Sequence, residues 1–109
     1  MNLVVLVGNL GEAPEVKESK GVTYARFSLA TTHRFKDAEG TPAQRTDWHR
    51  VVAFNGLAQT CGQLGKGAKV AVEGQLRTNS YQPEEGERRT VTEVHATRIE
   101  FLVRGQERE

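Results

Sequence analysis

Hydrophobic and polar residues alternate along most of this chain, with the period of two that is typical of half-buried β-strands. The first segment, residues 3–7, is instead a continuous apolar run rich in β-branched residues, which predicts a buried strand. The clearest alternation places Ala25, Phe27 and Leu29 on one face of a second strand. Together the patterns predict five strands, at residues 3–7, 23–32, 46–54, 70–76 and 90–102.

One short segment has a helical period. Leu57, Cys61 and Leu64 recur at spacings of four and three, and glycines follow as a C-terminal stop, which predicts a helix over residues 56–64. Five strands with one short helix between the third and the fourth is the element order of the OB-fold. The predicted fold class is therefore all-β, a five-stranded OB-fold Greek-key barrel.

Two polar segments and one irregularity interrupt the strands. Residues 35–45 and 82–87 are rich in turn-forming and charged residues, and both are expected to be loops. Within the last strand the apolar positions change phase, which predicts a bulge near Thr97 or Arg98.

The composition limits the chain to one small domain. A length of 109 residues with 37% hydrophobic content suffices for one modest core, so residues 1–103 are expected to form the OB domain and residues 104–109 a short polar tail. The single cysteine cannot form an intramolecular disulfide, and no Cys/His set has the spacing of a zinc site, so neither metal nor cofactor is expected. The first apolar run has no basic leader and is too short for a signal peptide or a membrane span, which predicts a cytoplasmic protein.

The charges balance overall but are unevenly placed. A formal net charge of +1 excludes a protein that coats nucleic acid by bulk charge, so any anion-binding surface must be local. Residues 31–78 hold seven basic and four acidic side chains, whereas acidic residues outnumber basic ones after residue 78. A role in solubility explains most of these charges individually.

The third predicted strand carries the most informative pattern for function. Trp48, Arg50 and Phe54 share one face of it, and His49 lies on the other. Because a core face would not normally hold an arginine, we expect the Trp48 side to be open to solvent. Every nucleobase has a π-face, so an exposed ring can stack a base of any identity, which contributes about 1–3 kcal/mol per base. Arg50, between the rings, is suited to pair with a phosphate or to stack through its planar guanidinium.

Two further aromatic residues, Phe35 and Tyr81, stand where polar loops follow strands, and each has basic neighbours. Core packing or a hinge role explains any one ring as well as stacking does, but it is the poorer explanation for all of them together. We expect several of the rings to stand out from one flank of the barrel, open to solvent. The predicted stacking residues are Phe35, Trp48, Phe54 and Tyr81, and the predicted phosphate contacts are Arg34, Lys36, Arg50, Lys69, Arg77 and Arg88.

Catalytic chemistry has little support in the sequence. His49 shares a strand face with Asp47 but has no third partner that would make a nucleophile or a general base. The glycine motifs precede no Lys-Ser or Lys-Thr pair, so a phosphate-binding loop is not indicated. An enzyme and an oligosaccharide-binding OB domain are therefore the weaker alternatives.

The first predicted strand is apolar on both faces. An edge strand of that kind needs cover, and pairing with a second copy of the chain would supply it, usually in a closed symmetric oligomer. We therefore expect Leu3, Val5 and Val7 to lie at a subunit interface.

Several long motifs resemble the bacterial single-stranded DNA-binding protein (SSB) family, in the same order along residues 1–103. They are NLVVLVGNLG followed by PEV, then FSLAT, TDWHRVVAFNGLA, KGAKVAVEGQLRT, and TEV followed by FL. The resemblance implies an OB domain that binds and protects single-stranded DNA in replication, recombination and repair. It also implies a homotetramer, a dimer of dimers, in which His49 belongs to a subunit-contact region.

The chain departs from the family pattern at two rings and at its end. Phe35 and Tyr81 stand where the family commonly has Trp, which keeps a ring but reduces its stacking area and implies weaker binding per base. The sequence lacks the Gly, Pro and Gln-rich linker and the acidic tip that recruit replication and repair proteins in such families. Those proteins remain candidate partners, but recruitment through such a tip is not expected. The alternative function is an adaptor similar to primosomal OB proteins, which assembles protein partners at replication restart.

Overall fold

Six β-strands and one short helix form the described part of the chain, which in this computed structural model is residues 1–103 without the side chain of Tyr81. The predicted tail, residues 104–109, lies outside the described residues. The elements are β1 (Val4–Leu10), β2 (Glu15–Ser19), β3 (Val22–Lys36), β4 (Pro42–Phe54), α1 (Asn55–Cys61), β5 (Lys69–Tyr81) and β6 (Arg89–Val103).

Five of the strands pair in a circuit that returns to its start. β1 pairs with β5, β5 with β6, and β3 with β4, all antiparallel, while β6 and β4 are parallel neighbours. β1 also pairs with β3, through Asn9↔Ala30 and Leu10↔Leu29. This circuit, with α1 between its third and fourth strands, confirms the predicted OB-fold.

The core lies inside this circuit, where every second residue of each strand points inward. Leu29, Val51, Val70 and Val72 are fully buried there. α1 packs against β3 and β4 and contributes Cys61, whose thiol pKa is raised by burial to about 11. The thiol is therefore neutral near pH 7 and packs as a small apolar group. Within residues 1–103, no helix has the length and apolar character needed to cross a bilayer.

The strands β3 and β4 are longer than alternation predicts. They run as one hairpin in unbroken register from Tyr24↔Phe54 to Lys36↔Pro42, so much of the segment expected to be a loop is strand. Beyond the barrel the hairpin has no core to face, and nearly every residue there is exposed. Its sequence therefore shows no apolar alternation, and backbone pairing extends it without a buried face.

β2 is a strand that the hydrophobic pattern does not predict. All of its residues are exposed, and it pairs only with β3, through a two-residue turn at Lys20 and Gly21. Both turn residues have positive φ, 51° and 80°, as the tight hairpin turns that match strand twist require. A short polar edge strand has no buried face, and so it leaves no period of two in the sequence.

The predicted bulge lies in β6 at Thr97. Glu73 pairs with Arg98 while the next residue, Gly74, pairs with Ala96, so Thr97 is the extra residue. The Thr97 hydroxyl donates a hydrogen bond to the carbonyl oxygen of Glu73 at 3.1 Å. The change of apolar phase in the sequence therefore marks a real shift of register.

Candidate nucleic-acid interface

Trp48 and Phe54 lie on the outward face of β4, near opposite ends of the part of this strand that joins the barrel. Their side chains are 61% and 40% exposed, and Arg50 between them is also exposed. Val52 on the same face is buried, so the open surface is divided into a Trp48 end and a Phe54 end. The separation of six positions between the two rings corresponds to about 20 Å along the strand.

The register of β3 against β4 brings further side chains onto this face. Tyr24 lies opposite Phe54 and Arg26 opposite Val52. Arg34 and Lys36 fall on the same face beyond Trp48, because they are separated from its partner Ala30 by even numbers of residues. This outward face of β3 and β4 is called the Trp48 face below.

Phe35 lies on the opposite face of the hairpin. It is an odd number of residues from Ala30 in an unbroken register, so its side chain and that of Trp48 point to opposite sides. Phe35 is 43% exposed and stacks on His33, with ring centroids 5.8 Å apart and ring planes 15° apart. Phe35 therefore does not share the outward face that carries Trp48, because strand parity places it on the reverse side of the hairpin.

A groove of about 500 Å³ opens beside Trp48. It lies between the segment after β1 and the outward faces of β3 and β4. Around the indole ring it carries two residues of each charge, and its principal lining residues are Gly11, Glu12, Glu15, Arg26, Trp48 and Arg50. A flat ring beside guanidinium groups can accept a base and its phosphate together.

The Phe54 end of the face continues onto β6. Phe54 packs against His95, with ring centroids 5.5 Å apart and planes 58° apart. The Oε1 atom of Glu93 lies 3.5 Å from Nε2 of His95, and this nitrogen is buried without a hydrogen-bond partner among the described residues. Arg77 of β5 lies opposite Glu93, so it belongs to the same continuous surface.

The remaining predicted contacts lie elsewhere. Lys69 lies about 26 Å along β5 from Arg77 and pairs with Asn9 of β1. Arg88 is exposed in the segment that precedes β6. The backbone of Tyr81 pairs with Arg89, but the side chain of Tyr81 is outside the described part of the structure.

The outward face of β1 is apolar and open. Leu3, Val5 and Val7 are 58%, 61% and 50% exposed in the single chain, whereas Val4 and Leu6 pack against the core. In the single chain the predicted buried strand is therefore buried on its inner face only. β1 pairs along one side with β5, but on its other side with β3 only at residues 9 and 10, which leaves the backbone edge of residues 4–7 free.

His49 faces away from Trp48, as its place in the sequence predicts. Its Nε2 atom shares a hydrogen bond of 2.7 Å with Oγ1 of Thr31 on β3. Within residues 1–103, the structure brings no three His, Cys, Asp or Glu side chains together in a way that would hold a metal ion.

Three members of the surface were missed by the sequence reasoning: Tyr24, Arg26 and His95. Tyr24 and Arg26 do alternate with the buried Ala25 and Phe27, so their outward direction was readable. What the sequence did not show was which residues of β4 and β6 lie beside them, because this depends on strand pairing.

A model of the single-strand binding protein family matches residues 1–102. The chain is 43% identical over 104 residues to the single-stranded DNA-binding protein of Xanthomonas campestris pv. campestris, covering 94% of this chain and 60% of that protein. It is 41% identical over 105 residues to single-stranded DNA-binding protein 1 of Chlorobaculum tepidum, covering 94% and 65%. The chain thus spans less than two thirds of the length of these relatives.

Solved structures show the same likeness. The Plasmodium falciparum SSB complex with single-stranded DNA matches with a TM-score of 0.85 and 29% identity, covering 94% of this chain and 95% of that one. A deletion mutant of the single-stranded DNA-binding protein from Thermus aquaticus matches with a TM-score of 0.82 and 29% identity, covering 94% and 50%. By sequence and by structure, this chain belongs to the single-strand binding protein family.

Proposed function

We propose that this chain binds single-stranded DNA without sequence preference and protects it during replication, recombination and repair. The observation that carries the proposal is the exposed indole of Trp48 beside Arg50, on the open outward face of an OB barrel. A solvent-facing ring stacks any base, and a neighbouring guanidinium neutralises the phosphate. Membership of a family whose relatives are named for single-stranded DNA supports the same ligand.

The proposed contacts divide by position. Trp48 and Phe54 stack bases on the Trp48 face, where Arg34, Lys36 and Arg50 are the proposed phosphate contacts. Arg77 is a further proposed phosphate contact, on the continuation of this surface across β6 to β5. We propose that Phe35, with Lys69, Arg88 and Tyr81, contacts DNA that passes beyond this face and around the β3–β4 hairpin. The reverse side of the hairpin supports such a path, because Phe35 and His33 form an exposed pair of stacked rings there.

We also propose a homotetramer built as a dimer of dimers. The free edge and open apolar face of β1, with Leu3, Val5 and Val7, are suited to pairing with the same strand of a second copy. His49 is the proposed contact on the other side of the hairpin. Replication and repair proteins are the proposed further partners, and the nucleoid within the cytoplasm is the proposed place of action.

The proposed role is binding without a chemical step. A titration with oligo-dT tests it directly, because Trp48 is the only tryptophan and its fluorescence reports a stacked base. We expect strong quenching, and we expect log K to fall with log salt by about 0.7 per phosphate contacted. Unchanged binding between low and high salt would refute the phosphate contacts.

The adaptor alternative makes an opposite prediction in the same experiment. If the chain mainly assembles protein partners, its affinity for oligo-dT is negligible and its partners bind equally well with and without DNA. Trp48 fluorescence then stays constant across the titration.

A further inference from the structure

Two arginines of neighbouring strands share the groove beside Trp48. Arg50 of β4 lies opposite Ser28, and Arg26 of β3 lies opposite Val52, so the two arginines are diagonal neighbours on one sheet face. Diagonal neighbours are about 7–8 Å apart at their backbones, which long side chains span easily. Both arginines line the groove, so both guanidinium groups can reach one anion within it.

The groove also contains two carboxylates, but each of them has a lysine partner. Glu15 lies opposite Arg26, yet its carboxylate is 3.6 Å from the ammonium group of Lys17. Glu12 is likewise 3.9 Å from the ammonium group of Lys66. Within residues 1–103, no ion pair involves either Arg26 or Arg50. Two like charges placed side by side repel each other, and an anion bound between them removes that repulsion.

The side chain of Arg26 contacts an aromatic ring. Its guanidinium carbon lies 5.4 Å from the centroid of the Tyr24 ring, within the range of a cation–π contact. Tyr24 itself lies opposite Phe54 across the hairpin. This contact restrains a long side chain before any ligand arrives, which reduces the entropy lost on binding.

We propose that Arg26 and Arg50 together clamp a single backbone phosphate of the strand whose base stacks on Trp48, and that Tyr24 is a positioning residue for Arg26. Guanidinium groups bind phosphate oxygens through paired, charge-assisted hydrogen bonds, which suits two of them to one phosphate. This inference deepens the proposed function and rests on it, because it names a contact within the same surface.

The test uses the full chain and the variants R26Q, R50Q and the double variant, titrated with labelled oligo-dT at several salt concentrations. We expect each single variant to lower the affinity about tenfold at low salt. Because one phosphate is shared, we expect the double variant to reduce the slope of log K against log salt by about 0.7, whereas two separate phosphates would reduce it by about 1.4. The larger change would overturn the shared clamp.

Two modified oligonucleotides distinguish the contribution of the phosphate to binding from that of the base. On an abasic strand of equal length, we expect R26Q to remain defective, because the phosphates are still present. On an oligo-dT whose backbone is neutral methylphosphonate, we expect R26Q and the wild type to bind alike. A defect that persists on the neutral strand would show that Arg26 does not act through phosphate.

Tyr24 is tested by a conservative pair of variants. Y24F keeps the ring and is expected to keep both affinity and salt slope, whereas Y24L is expected to reproduce R26Q. R98Q is the matched control, because it also removes one exposed arginine, which lies on β6 outside the groove and whose guanidinium bonds Glu100. If R26Q binds like R98Q, or loses thermal stability without any change of salt slope, the clamp is wrong.

The outcomes also distinguish the clamp from the function on which it rests. A wild-type chain that does not bind oligo-dT overturns both proposals. A wild-type chain that binds, with Trp48 quenched and R26Q unimpaired, overturns the clamp alone.

Discussion

The indole ring of Trp48 lies directly over Gly11. A Cβ atom at residue 11 would come within 2.8 Å of Cζ3 and 3.0 Å of Cη2 of the indole, closer than side-chain atoms pack. The Gly11 amide donates a hydrogen bond to the carbonyl oxygen of Ser28 at 3.2 Å, which ties this segment to β3. The ring is therefore supported on one side by glycine backbone, and 61% of the residue remains exposed for a base.

Substituting this glycine should weaken DNA binding while the fold persists. In G11A the added methyl group displaces the indole from its support, and we expect a loss on the order of 1 kcal/mol in oligo-dT binding, a fraction of one stacked base. Titration of labelled oligo-dT measures it. G56A is the matched control, since nothing lies within 4 Å of a Cβ there. Equal affinities of G11A and G56A would show that the support of the ring is unimportant.

Removing the indole itself should affect binding far more than folding. Because Trp48 is mostly exposed, we expect W48A to unfold within a few degrees of the wild type, as surface substitutions usually do, and to lose about 1–3 kcal/mol of binding to labelled oligo-dT. W48F should lose less affinity than W48A, since a smaller ring still stacks. A large drop in thermal stability for W48A would indicate a core role instead.

A charge on the open face of β1 should change the oligomeric state. We expect V5E to shift the protein towards monomer, because the variant would bury a carboxylate in the proposed contact. Light scattering gives the mass. V22E provides the comparison, since Val22 is also exposed, at 43%, but lies at the start of β3. An unchanged mass for V5E, or an equal shift for both variants, would contradict pairing through β1.

The buried thiol of Cys61 should make stability depend on alkaline pH. Its pKa is raised by burial from 9.0 to about 11, so between these values the unfolded thiol loses its proton while the folded one keeps it. Unfolding then releases a proton, and rising pH favours the unfolded state by up to about 1.4 kcal/mol per pH unit. Denaturation at pH 8 to 11 should show this loss in the wild type and a smaller one in C61A. Parallel pH profiles for the two proteins would exclude the thiol as its source.

The local pattern of side chains was sufficient for much of this architecture. The period of two identified the five barrel strands, placed Trp48, Arg50 and Phe54 on one face and His49 on the other, and located the bulge at Thr97. Each of these is a property of residues close together in the chain. A buried face imposes its periodicity on the sequence, so the periodicity can be read back from it.

Strand pairing decided the rest. The support of Trp48 by Gly11, the meeting of Arg26 with Arg50, and the turning of Phe35 to the reverse side of the hairpin all depend on which residues face each other across strands. β2 and the outer part of the β3–β4 hairpin bury no face, so they carry no periodic signal at all. Backbone hydrogen bonds between strands depend little on which side chains the residues carry, so they do not select one register. The register is therefore determined only when the side chains of the whole barrel pack together.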